Sequence, residues 1–202
     1  MSSTRTPAIA GSAVFLLAYL AVSFTGPLAD RSLPLPDAPA ADVAAYYGAN
    51  PLAAVVVAGL QAVSVLGFAV FARAFERRSV RAVAGVSVLA MLVSCALSVV
   101  LAAVAGSASL DTVQALRLGS FYAGGVGNVV TLGVFVLLAA KGGAPARWFG
   151  YVAGALATLS VLSLAFYYAS ALLPVGRVLS MVWTVVVAVL LTRQRAVTGS
   201  AR

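Results

Sequence analysis

Four residues able to make strong polar interactions stand inside otherwise apolar stretches of this chain: Gln61, Arg117, Asn128 and Arg177. A carboxamide surrounded by apolar groups needs partners, and a bond between helices in lipid is worth about 0.6–2 kcal/mol. The economical expectation is that Gln61 and Asn128 pair with each other or with nearby serines such as Ser64. The alternative is a polar pocket. Arg117 and Arg177 lie near the ends of their apolar runs, where a long side chain can reach back to water. Snorkelling accounts for both, and a binding role is the alternative.

The adjacent tyrosines Tyr46 and Tyr47 sit in the polar, proline-rich stretch "RSLPLPDAPAADVAAYYGANPL", Arg31 to Leu52. Pro34, Pro36 and Pro39 forbid a regular start there, and a short helix is predicted from Pro39, with Gly48 as a stop before Pro51. Val43, Tyr46 and Tyr47 would share one face at i, i+3, i+4 spacing. Tyrosine rings favour a membrane interface, so the expected role is a surface anchor. The sharper reading is a lid over a cavity.

Other chemistry lacks its residues. The chain has no histidine, which removes histidine haem ligation, histidine metal sites and histidine proton relays. Cys95 is the single cysteine, so no disulfide forms within the chain. No Asp or Glu lies inside an apolar run, where an ion-coupled pump keeps one. "GGVG" at 124–127 falls in mid-run, where its glycines serve packing or a flexible point rather than a phosphate cradle. The expectation is a protein that is not an enzyme and has neither metal nor cofactor.

The elements that must position these residues are set by composition. Of 202 residues, 62% are hydrophobic and 9% charged, and mean hydropathy is +1.06. Soluble domains average about 25% charged residues, so an all-α, polytopic membrane bundle is expected as a single domain over 1–202. Six runs reach the roughly 20 apolar residues that a bilayer crossing needs. They cover about 8–28, 51–72, 82–105, 117–140, 148–170 and 174–192. The first is too long for a secretory h-region and is read as a retained helix. The short helix near Tyr46 then lies in the first outer loop.

Charge orients the runs. Arg73, Arg77, Arg78 and Arg81 crowd the second connection, Lys141 and Arg147 flank the fourth, and Arg193, Arg195 and Arg202 fill the tail. Asp30, Asp37, Asp42 and Asp111 fall in the first and third connections, with Arg31 and Arg117. Six crossings put the basic clusters on one side, so both termini are expected in the cytoplasm of a bacterial plasma membrane. The net charge of +8 is spent on this bias, and nucleic acid is not an expected partner.

Small residues recur every fourth position in the last four runs. Gly119, Ala123, Gly127 and Thr131 form one row, Gly150, Gly154 and Thr158 another. Ala90, Ser94, Ser98 and Ala102, and Ser180, Thr184 and Ala188, form the others. Such rows let backbones approach closely and are expected to mark packing seams.

The order of the first apolar run, "DAPAADVAAYY", an Arg-rich turn, "ARWFGYVAGALATL" and "VWTVVVAVLLTRQR" resembles small six-helix membrane proteins common in high-GC actinobacteria. These families are known only as domains of unknown function. The resemblance spans most of the chain and implies the six-helix topology. Two functions are expected to compete. One is a scaffold or modulator of another membrane protein or of a homo-oligomer, with the lipid bilayer as the constant partner. The other is a binder or facilitator of a small lipophilic solute, similar to the substrate-binding subunits of energy-coupling-factor transporters.

The topology is directly testable. In a Cys95→Ala background, cysteines at positions 78 and 141 should resist an impermeant thiol reagent in intact cells, and one at position 37 should react. The reverse pattern would overturn the orientation.

Overall fold

The computed structural model describes residues 5–30, 33–35, 37–165 and 167–200. The expectations placed on Arg31, Pro36 and Arg202 lie outside these residues. Among the described residues eight α-helices follow in order: α1 Arg5–Ala21, α2 Ala40–Ala49, α3 Pro51–Ala72, α4 Arg78–Val104, α5 Leu110–Ser120, α6 Asn128–Lys141, α7 Arg147–Leu159 and α8 Leu172–Ser200. No strand occurs among the described residues. A π-helical segment, Phe121–Gly127, joins α5 to α6 without a break.

Among the described residues, six helical stretches are long and apolar enough to cross a membrane: Pro7–Phe24, Pro51–Ala72, Arg78–Val104, Leu110–Lys141, Arg147–Leu164 and Ala169–Arg193. They close a ring in the neighbour order α1, α3, α4, α6, α7, α8 and back to α1. α2 is the short helix expected after Pro39.

Three boundaries differ from expectation for identifiable reasons. The first run was expected to stay helical to 28, but α1 ends at Ala21 and two 3-10 turns carry the chain to Leu28. Pro27 has no N–H to continue an α-helix, and the Thr25 hydroxyl donates to the Val22 carbonyl at 2.8 Å. The fifth run was expected to reach 170, but α7 tightens into a 3-10 turn, Ser160–Leu164. There the Thr158 and Ser160 hydroxyls donate to the carbonyls of Gly154 and Ala157, and such back-bonding distorts helices. The fourth helix starts at Leu110, seven residues before the expected 117. Ser109 accepts from the Thr112 amide and Asp111 occupies the first turn, a capped and favourably charged start that an apolar-run criterion passes over.

The core fills the centre and the Arg-rich end. Phe68 packs on Phe15 and Phe135 at centroid distances of 5.0 and 4.9 Å, and Phe75 meets Phe71 and Phe135 at 5.4 and 5.3 Å. All but the tilted Phe15–Phe68 pair meet edge-on, and such pairs add about 0.5–1.5 kcal/mol each beyond burial. Trp183 is fully buried beside them and donates to the Ala146 carbonyl at 3.2 Å. Ala146 is left-handed at φ 54°, a conformation costing a non-glycine residue about 1–2 kcal/mol.

The closest backbone seams fall partly outside the expected rows. A Cβ added at Gly67 would lie 2.7 Å from the Gly11 carbonyl oxygen, which locks α1 to α3. One at Gly133 would lie 2.7 Å from the Thr158 amide and 2.8 Å from the Gly154 carbonyl, which locks α6 to α7. Gly176 presses likewise on Ala157. Among the expected glycines, Gly154 meets the Gly133 carbonyl and Gly150 meets the Trp183 indole. Gly119 faces only the tip of Leu97, and Gly127 meets the Tyr122 carbonyl of its own helix. Ala123, in the same row, is half-buried. Four-residue spacing identifies a helix face but not whose backbone lies opposite it.

Gly67→Leu should therefore lower stability by at least about 2 kcal/mol through overpacking. Gly59→Leu, on the same helix with nothing within 4 Å, should be neutral or stabilising because leucine is the better helix former. Thermal midpoints in detergent decide, and equal losses would remove the α1–α3 seam as the cause.

Candidate functional site

Gln61, Arg117, Arg177, Tyr46 and Tyr47 line one cavity of about 440 Å³ under α2, and Asn128 stands outside its lining. Its roof is held by three local devices. Pro39 ends the extended approach to α2, and Asn50 closes the helix by donating from Nδ2 to the Tyr46 carbonyl at 3.0 Å. The Oδ1 of Asn50 accepts from the Asp30 amide at 3.0 Å, which ties the end of the first connection to its beginning. Val43, Tyr46 and Tyr47 are all buried and pack with Leu101 and Ala102 of α4, Ala105 just beyond it and Val113 of α5. The expected shared face is present, but its rings are buried in protein rather than displayed as a surface anchor. The reason is α5, whose early start gives α2 a partner that the apolar runs did not reveal.

Burial pushes the Tyr46 phenol above its ordinary value of 10.0, its neighbour Tyr47 adds in the same direction, and Arg117 pulls it down. The folded state thus favours the neutral phenol.

Arg117 and Arg177 do not snorkel. They are 9% and 8% exposed and both line the cavity. Because α5 begins at Leu110, Arg117 lies two turns inside the helix, and its Nη2 donates to the Pro34 carbonyl at 2.8 Å. Arg177 of α8 turns toward the π segment. Its Nη2 donates to the Gly124 carbonyl and, at 2.8 Å, to Oδ1 of Asn128. Its guanidinium carbon stands 5.5 Å from the centroid of the Tyr19 ring, within cation–π range.

Asn128 does not pair with Gln61. Its Nδ2 donates to the carbonyl and hydroxyl oxygens of Ser87, both at 2.9 Å. In return the Ser87 hydroxyl donates to the Asn128 carbonyl at 3.0 Å. Ser64 donates instead to the Phe15 carbonyl at 2.6 Å. Gln61 is half-buried on the cavity wall. Beyond Arg177 a space of about 10 Å³ continues between Tyr19, Gln61 and Asn128, enough for about one water molecule.

The sequence reading missed the polar wall of α4 and α5. Ser94 Oγ lies 2.9 Å and Ser98 Oγ 2.8 Å from Ser120 Oγ, and Ser94 also donates to the Ser120 carbonyl at 2.8 Å. Ser94 and Ser98 were visible as half of a four-spaced row; Ser120 belonged to none. The π segment was missed too, although "GGVG" marked it. A Cβ at Gly124 would collide with the Ser94 side chain, so glycine there is what brings α4 against the π segment. Such π turns concentrate at functional sites.

Electrostatically the site is one-sided. No carboxylate is present among the described residues that line the cavity, and the Nε atoms of both arginines are buried without a partner. A buried, uncompensated charge costs several kcal/mol, and arginine cannot relieve it by losing a proton. Arrangements of this kind hold anions or polar solutes rather than cations. No family model, curated protein or solved structure matches this chain.

The Tyr46 environment predicts an alkaline limit. Its contribution is complete below the unfolded phenol value near 10 and is lost as pH rises through the higher folded value. Above about pH 10 the thermal midpoint of the wild type should therefore fall more steeply than that of Tyr46→Phe. Parallel curves would remove Tyr46 as a cause.

Proposed function

We propose that this chain is a multi-pass protein of a bacterial plasma membrane that works without catalysis, by binding a small, partly lipophilic solute in the cavity under α2. The cavity carries this reading. Its volume falls in the range of small-molecule sites, and its mixture of apolar wall and a few convergent polar groups is typical of them. Tyr46 and Tyr47 roof it at one end, and the phenylalanine cluster of α1, α3 and α6 fills the bundle below. A site roofed by α2 and sealed below by the phenylalanine cluster suits capture rather than free permeation. A scaffold would need no such space.

The membrane setting is supported by the outer face of the bundle. Leu17, Leu66, Leu89 and Val152 are all more than half exposed, and apolar surface this extensive fits lipid. The basic turns at Arg73–Arg81 and Lys141–Arg147 lie at the end away from α2, which supports a cytoplasmic location for them and for both termini. Among the described residues that line the cavity, the serine hydroxyls have no imidazole, carboxylate or thiolate beside them to act as base, as nucleophilic chemistry requires.

Native mass spectrometry of protein purified from source membranes tests the reading. Wild type should retain a small molecule that Val57→Trp loses, because residue 57 lines the cavity and is only half-buried. Wild type with no retained molecule, or equal retention in Val57→Trp, would overturn it.

A further inference from the structure

We infer that Arg177 is the anion-binding residue of this cavity, and that its ligand is an amphiphile with one carboxylate or phosphate head on an apolar body. The inference rests on the cavity being a solute site and specifies which class of solute it takes. Arg177 is positioned before any ligand arrives. Gly124 and Asn128 take hydrogen bonds from Nη2, and the Tyr19 ring lies against the guanidinium. These partners are neutral, so they fix direction while leaving the whole positive charge in place. The Nε is buried without an acceptor, and no carboxylate among the described residues lines the cavity. A carboxylate or phosphate in the cavity supplies the missing charge, and guanidinium recognises either head.

Arg117 has the same unpartnered Nε but stands at the roof, donating to Pro34, whereas Arg177 reaches the level of Gly124, seven residues further along the same continuous helix. At the rise of a helix that is about 10 Å of depth. A single head therefore belongs at Arg177, with its body running up past Val57 and Ala54 toward the tyrosines. The head could come from a free amphiphile or from a bilayer lipid.

The test uses full-length protein in phosphatidylcholine nanodiscs, titrated calorimetrically with decanoate, 1-decanol and decyltrimethylammonium. Decanoate should bind about 10- to 100-fold more tightly than decanol, the range of a charge-assisted hydrogen bond, and the cation most weakly. Arg177→Gln should abolish this preference while decanol binding persists, and Arg177→Lys should restore part of it. Replacing some phosphatidylcholine with phosphatidylglycerol identifies the source. A competitive loss of decanoate affinity assigns the site to a lipid head, and unchanged affinity assigns it to a free amphiphile. Should Arg177→Gln not fold, the head-group series on wild type still decides. Equal affinities for decanoate and decanol, both lost in Val57→Trp, would overturn the anion and leave the solute site standing. No binding of any of the three probes would overturn both.

Discussion

One buried guanidinium organises this bundle. Arg177 joins α8 to the π segment and α6 through Gly124 and Asn128, and Asn128 passes the connection to α4 through Ser87. Three walls of the ring thus meet through a single polar chain, in surroundings that are otherwise apolar. In a low-dielectric interior each of these bonds is strong, and each would be costly to leave unmade. The chain therefore restricts how α4, α6 and α8 can rotate against one another. Small residues bring the backbones close, but they tolerate rotation that this polar chain does not.

The same restriction keeps a cavity open. Core side chains normally pack to the density of organic crystals, and the phenylalanine cluster does so between α1, α3 and α6. Nearer α2 the walls instead carry serines already bonded to one another, glycines in the π segment, and two arginines held at separate levels. None of these can collapse to fill the space without giving up a hydrogen bond. α2 then covers the opening, with both tyrosine rings turned inward against α4 and α5. The roof is joined to the wall by Arg117 and Pro34, a contact spanning 83 residues of sequence.

Much of the architecture was legible along the chain. Six apolar runs, the helix after Pro39, and the common face of Val43, Tyr46 and Tyr47 all follow from residue type and local spacing. α3 occupies the expected 51–72 because Pro51 starts it and apolar character runs unbroken to Ala72. Local physics settles such features, since helix periodicity and proline's missing donor act within a few residues.

Tertiary structure alone decided where the polar side chains point. Asn128 could have met Gln61 on sequence grounds, but ring order places Ser87 and Arg177 against it. The arginines could have reached for water, but the capped start of α5 sets Arg117 two turns inside, and the position of α8 turns Arg177 toward Gly124. The seam between α1 and α3 pairs Gly11 with Gly67, and neither lies in one of the four-spaced rows. Direction, partner and depth depend on which helix stands opposite. That is fixed by contacts between residues far apart in the chain, and no local pattern carries it.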